Sequence, residues 1–162
     1  LKILGIDPGT TQSAFLGLRP EDKFGPIQIW EKGIIDNCQL LDKLRMPYSF
    51  SEIVVIEMIA CYGMPVGKDI FETVKWIGRF QEASESTDKK VVLVYRKDIK
   101  LHLCNSARAK DSNIRQALID RLGKPGTKKV PGMLYGIKKD IWSALAVSVF
   151  YVDTLYKKER RN

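Results

Sequence analysis

Histidine occurs once, at His102, and cysteine only three times, at Cys38, Cys61 and Cys104, in a chain of 162 residues. These four residues lie far apart, without the paired spacing of a zinc site, and three cysteines cannot all pair with one another. A disulfide scaffold and a structural zinc are therefore set aside in favour of reduced thiols and a cytosolic setting. No apolar stretch approaches the ~20 residues that span a bilayer, so no membrane partner is expected. The opening run carries one lysine and reads as a strand, not as a basic segment leading into a secretory core. Internal repeats and low-complexity linkers are also missing. The length suits one domain over residues 1–162, large enough to bury most of its apolar surface.

What the chain has in excess is positive charge, and it is unevenly placed. The formal net charge is +8. From Arg96 to Asn162 there are 16 Lys and Arg against 6 Asp and Glu, whereas the first 95 residues hold 11 bases and 13 acids. A basic C-terminal part beside an acid-bearing N-terminal part suits a polyanion that must also meet metal ions. A merely lysine-rich soluble surface has the same composition.

Periodicity gives the elements. Strands are expected at 2–7, 12–18 and 27–35, with Gly9 and Gly25-Pro26 at the joins. A short helix follows at 36–45, capped by Asp36 or Asn37, with Leu40, Leu41 and Leu44 at helical spacing. Next come a strand at 53–57, a helix at 67–83 with Ile70, Val74 and Ile77 on one face, and a strand at 90–95. Helical pieces near 97–104 and 111–122 lead to a Gly-, Pro- and Lys-rich loop at 123–132, expected to be mobile. The last helix, about 137–158, carries Ile137, Ile141, Ala144, Leu145, Ser148, Val152 and Leu155 in one stripe. Such an order predicts an α/β fold: a mixed five-stranded sheet, an antiparallel three-strand meander plus parallel strands, with helices on both faces.

Three acids stand out. Asp7 ends the apolar run Ile3-Leu4-Gly5-Ile6, and a carboxylate closing a buried strand is costly unless something pairs with it; a metal ion is one such partner. The following Pro8-Gly9 equally suits a plain turn. Glu57 ends Ile53-Val54-Val55-Ile56 in the same manner. If the two strands are parallel neighbours, both acids emerge at the sheet's carboxyl edge, where ligands collect and like charges call for a cation. The bland alternative for Glu57 is a cap or an ion pair, with Lys68 as the partner. Asp140 precedes Ile141 in the first turn of the last helix, where simple dipole electrostatics would also favour an acid. Small Ser143, Ala144 and Ala146 would let that helix approach the sheet closely.

Ile6-Asp7-Pro8-Gly9-Thr10-Thr11, Val54-Val55-Ile56-Glu57 and Asp140-x-x-Ser143-Ala144-Leu145-Ala146 together resemble, in order, the three motifs of the RuvC-type Holliday junction resolvases. The shorter basic forms encoded by phages are the most similar. The resemblance implies a ribonuclease H-like fold and a metal-dependent endonuclease that nicks branched DNA as a homodimer, in a bacterial cytosol or an infected host cell. It implies Asp7, Glu57 and Asp140 as catalytic metal ligands for Mg²⁺ or Mn²⁺, two ions per site, a set that suits hard cations and phosphodiester hydrolysis. The chain departs from the family at Ser143, where a second acid usually stands. It also implies basic DNA contacts after the last strand, with Lys100 and Lys110 leading and Lys97, Arg96, Arg108 and Arg115 beside them; a solvated helical face is the alternative. In the family a loop near 60–67 enters the junction centre, which would make Tyr62 or Met64 a stacking or wedging group, core packing being the simpler role.

Two other readings remain. Ser143 suits a junction-binding protein of the same fold with impaired catalysis. Gly5-Ile6-Asp7-Pro8-Gly9-Thr10-Thr11 also resembles the opening of actin-like and chaperone-like ATP-binding domains, although a second phosphate motif is missing. His102 is expected to be an ordinary helix residue. The helix 67–83, with Phe71, Trp76 and Phe80, is the candidate dimer surface. The nuclease reading requires the three acids to converge, and it collapses if Asp140 lies well out of reach of the other two or if Asp7 or Glu57 is buried in an ordinary ion pair.

Overall fold

The structure is a computed structural model that describes residues 1–21, 26–46 and 51–159. The expected turn residue Gly25 lies outside the described residues. One five-stranded sheet runs in the order β3-β2-β1-β4-β5. Its strands are β1 (Ile3–Asp7), β2 (Gln12–Pro20), β3 (Ile27–Asp36), β4 (Ile53–Met58) and β5 (Lys90–Tyr95). β1, β2 and β3 form the antiparallel meander, and β1, β4 and β5 are parallel. The helices are α1 (Asn37–Arg45), α2 (Lys68–Glu85), α3 (Arg96–Cys104), α4 (Asp111–Leu122) and α5 (Ile141–Glu159).

Alternation along the central strands sorts the core into two layers. Leu4, Ile6, Val54 and Ile56 point to α1 and α2, where they meet Leu40, Leu44, Ile77 and Phe80. Ile3, Ile53 and Val55 point the other way, into a larger cluster with α3, α4 and α5. Asp7 shares the parity of Ile3 and Gly5, and Glu57 that of Ile53 and Val55. Both acids therefore leave the sheet on the α5 face.

α5 is buried on nearly all sides over its first three turns, from Ile141 to Val149. It lies between the sheet and the α3–α4 layer, so a one-sided stripe would not suffice. Its seat on β1 depends on Gly5, where a Cβ would collide with Ser148 Oγ and the Ala144 carbonyl oxygen. The Ser148 hydroxyl itself donates back to the Ala144 carbonyl at 3.0 Å. At the other end of β1, the turn after Asp7 is tied down by a buried polar network. The Gly9 N–H donates to Ser13 Oγ (3.3 Å), Ser13 Oγ donates to Asn37 Oδ1 (2.6 Å), and Asn37 Nδ2 donates to the Gly9 carbonyl (2.9 Å). A satisfied buried network of this kind holds the backbone around it in one arrangement.

Two expectations change, and the loop expected to be mobile shows internal contacts. The last helix starts at Ile141, not near 137, because residues 134–140 form turns in which Lys139 takes a positive φ of 49°. The buried stripe of α2 is Thr73, Ile77, Phe80, Ala83 and Ser84. Val74 sits about 100° round the helix from Thr73 and is exposed, as is Phe71. The loop at 123–132 closes on itself through a Gly126–Pro131 bridge and a 2.9 Å bond from the Gly132 N–H to the Pro125 carbonyl. Among the described residues no helix is long and apolar enough to cross a membrane.

Gly5→Ala is expected to destabilise the fold by about 2–3 kcal/mol in urea unfolding, because an extra methyl has no room to enter. Adding Ser148→Ala should recover only part of that loss, since the Ala144 carbonyl belongs to the backbone and cannot yield.

Candidate active site

Parallel pairing of β1 and β4 aligns Ile6 with Ile56, so Asp7 and Glu57 are the next residues in register at the carboxyl edge. β5 continues the register, with Glu57 opposite Val94, and its successor Arg96 opens α3 at the same edge. The first turn of α5 brings Ser143 onto Asp7, with a side-chain hydrogen bond between them. Asp140 stands just before α5, exposed, with its carbonyl accepting from the N–H groups of Ser143 and Ala144. Its charge reaches Asp7. Asp7 and Glu57 thus share one edge of the sheet, and Asp140 approaches it closely enough for its charge to act on Asp7.

Electrostatics at this edge are unbalanced. Burial pushes the Asp7 carboxyl up to about 7, and the Glu57 and Asp140 charges add to that rise against the opposing pull of Arg96 and Ser143. Burial likewise raises Glu57, despite a 3.0 Å ion pair in which Arg96 Nη1 donates to Glu57 Oε2. The same guanidinium donates through Nη2 to Asp111 Oδ1 at 2.6 Å. Glu57 is therefore in an ion pair, with Arg96 and not with Lys68. That pair differs from an ordinary one: it leaves the glutamate raised, and no ion pair among the described residues includes Asp7. One shared guanidinium does not neutralise the acids around it.

A divalent ion would meet hard oxygen donors only, which fits Mg²⁺ or Mn²⁺. It would also offset the burial, and the lesser like-charge repulsion, that hold Asp7 near 7. As the side chains stand, no three carboxylate, imidazole or thiol groups among the described residues are close enough to ligate one ion together. Glu57 leans instead on Arg96. In chemistry, though not as a closed group of three, the donor set fits a hard cation.

The candidate DNA contacts surround this edge unequally. Lys100, half-buried on α3, is close enough for its charge to favour ionised Glu57. Lys110 is exposed just before α4, where its N–H donates to Asn113 Oδ1 at 2.8 Å. Arg108 is exposed beside it. Arg115 on α4 lies over the Trp142 ring at 4.9 Å, so it flanks the first turn of α5. Lys97 places its ammonium 5.5 Å from the centroid of the Tyr62 ring. Tyr62 is 68% exposed and Met64 71% exposed, which rules out core packing for either. Tyr62 and Gly63 both take positive φ, 39° and 84°, so the loop after β4 projects through a left-handed turn.

His102 is remote from this chemistry. Its Nε2 lies 2.6 Å from Asp153 Oδ2, and Asp153 also receives the Arg121 guanidinium. Sequence reasoning placed Arg96 among the phosphate-binding bases and missed its grip on Glu57; Asp111 was not singled out at all. The available signal was positional, because Arg96 follows β5 as Pro8 follows β1, at the third parallel strand end.

The raised Asp7 carboxyl carries a pH signature. Its folded value, about 7, exceeds the ordinary carboxylate range of ~3.9. The protonated form is favoured in the fold, so this contribution is full below ~4 and is lost as pH rises through about 7. In chelator at pH 8, Asp7→Asn is expected to be more stable than the parent chain by about 1–3 kcal/mol, with the gap closing toward pH 4. Millimolar Mg²⁺ or Mn²⁺ should raise the parent's Tm at pH 8 and leave Asp7→Asn unmoved.

No protein-family model and no curated protein matches the sequence. Solved structures do. Thermus thermophilus RuvC superposes with a TM-score of 0.73 at 16% identity, over 98% of this chain and 97% of that one. The same enzyme in complex with a Holliday junction substrate gives 0.74 at 15% identity, over 98% and 96%. The fowlpox virus Holliday junction resolvase gives 0.63 at 13% identity, over 95% and 99%. At such identities the likeness is one of architecture, and it spans nearly the full length on both sides: the chain has the mixed α/β, ribonuclease H-like fold of the RuvC-type resolvases.

Proposed function

We propose that this protein is a metal-dependent, structure-selective endonuclease that nicks branched DNA such as four-way junctions. The observation that carries the reading is the pairing of Asp7 and Glu57 at the carboxyl edge of the parallel strands, with Asp7 raised by burial and by the charges of Glu57 and Asp140. Mg²⁺ or Mn²⁺ held there, as one or two ions, would supply the Lewis acid that phosphodiester hydrolysis needs. Asp7 and Glu57 are the inner ligands, placed by rigid strands, and Asp140 is the outer one. Ser143 brings no charge; its hydrogen bond holds the Asp7 carboxylate in one orientation. Lys100 and Lys110 lead the phosphate contacts, with Lys97, Arg108 and Arg115 around them. Tyr62 and Met64 project where an unstacked base of a junction could rest on an aromatic face.

A homodimer is part of the proposal, because a two-fold assembly would present two sites to the two-fold symmetry of a four-way junction. The outer face of α2, with Phe71 exposed and Trp76 half-buried, is the surface assigned to it; Phe80, expected beside them, is instead fully buried in the core. The three free cysteines suit a reducing compartment such as the cytosol. The second reading, junction binding without cleavage, draws on the serine at 143, where one more acid would have strengthened the ion site.

Cleavage of an end-labelled four-way junction in Mg²⁺ or Mn²⁺ separates the two. Nicks by the parent chain, lost in Asp7→Asn and Glu57→Gln with junction binding retained, are the expected result; binding with no nicks at any ion concentration would support the second reading. For the basic contacts, Lys100→Ala and Lys110→Ala should each weaken junction binding and reduce the slope of log K against log salt by about one. An unchanged slope would remove that lysine from the interface.

A further inference from the structure

Among the described residues Arg96 is the one guanidinium ion-paired to the acidic edge, and the way it divides its hydrogen bonds is unusual. An arginine fork commonly places two parallel bonds on a single carboxylate. Here Nη1 takes Glu57 Oε2 at 3.0 Å, while Nη2 takes Asp111 Oδ1 at 2.6 Å. The two acids differ in surroundings: the Glu57 side chain is 15% exposed and that of Asp111 79% exposed. The guanidinium therefore straddles the boundary between the site and water. Its position follows from the fold, since it comes directly after β5, next to the Glu57 strand, while Asp111 is the first residue of α4.

We propose that Arg96 is a resident counter-ion of this site, bound to Glu57 until a divalent cation displaces it, with Asp111 as the anchor that keeps the released guanidinium at the rim. The inference rests on the reading of Asp7, Glu57 and Asp140 as ion ligands. A guanidinium and a divalent ion compete for the same carboxylate oxygens, and both cannot hold Glu57 Oε2 at full strength. Arginine keeps its charge at all working pH, so it leaves Glu57 by moving and not by losing a proton. Departure is eased because the Asp111 bond survives it. The vacated Nη1 then faces the site from the rim, with the planar fork that suits a phosphate oxygen.

The test is Mn²⁺ binding without DNA, followed by loss of the free-ion EPR signal. Arg96→Gln is expected to bind Mn²⁺ about tenfold more tightly than the parent, the factor set by removing one charge-assisted hydrogen bond to the ligand. In a Glu57→Gln background the same substitution should have almost no effect, because the coupling runs through Glu57. Arg96→Lys, which keeps the charge but lacks the planar fork that reaches both acids, should fall between, at about threefold. It also serves as the working variant if Arg96→Gln does not fold. Unchanged or weaker Mn²⁺ binding in the folded Arg96 variant would overturn the proposal. So would a gain that persists undiminished without Glu57, which would reduce Arg96 to a charge acting through space. A parent chain that binds no Mn²⁺ fails differently: it removes the ion site itself, and the counter-ion role with it.

Discussion

Negative charge brought to the carboxyl edge of parallel strands is the constraint around which this molecule is arranged. Asp7 and Glu57 are carried there by β1 and β4, two central strands whose apolar residues leave the chain little choice of register. Once that register is set, two carboxylates leave the sheet side by side on one face. Burial makes their ionisation costly, and their mutual repulsion raises the cost further. The fold responds with a single shared guanidinium, a serine hydroxyl and a lysine near by, which is less than full compensation. That shortage of positive charge is what the proposed metal-dependent function draws on.

The helix that completes the site is held by shape. α5 reaches β1 because Gly5 has no side chain, and because Ala144 and Ser148 are small where they pass over it. That close approach puts Ser143 within hydrogen-bond reach of Asp7 and brings the charge of Asp140 to bear on it. On the opposite side, the Gly9–Ser13–Asn37 network fixes the turn that follows Asp7. The acids are thus supported by rigid packing on both sides, while the basic residues and the Tyr62 loop stand at the surface. Under the proposed function these would be rigid ligands beside adaptable substrate contacts, and Arg96 stands between the two groups.

Much of the architecture was legible in the residues. Alternation and turn residues marked all five strands, and β5 and α4 fall at 90–95 and 111–122, as periodicity placed them. The mixed sheet followed from element order, because short links between the first three strands allow only an antiparallel meander. Less legible was α2, where Val74 and Phe71 fit an apolar stripe but face outward. A helix near a sheet edge has two candidate faces, and periodicity alone does not say which one the sheet covers. The start of α5 was also set too early, since Ile137 continues the helical spacing through a segment whose backbone turns at Lys139.

Sequence by itself determined that strand ends carry acids, that the C-terminal half is basic, and that a small-residue helix follows Asp140. These are local properties, written in residue type and spacing. Only the tertiary structure decided that Glu57 pairs with Arg96 instead of Lys68, that Arg96 also holds Asp111, and that Tyr62 and Met64 stand in water. Those outcomes depend on which long side chains meet across elements 39 and 15 residues apart in the chain. No periodicity records such meetings, because a charged side chain chooses its partner by distance and burial after the backbone has folded.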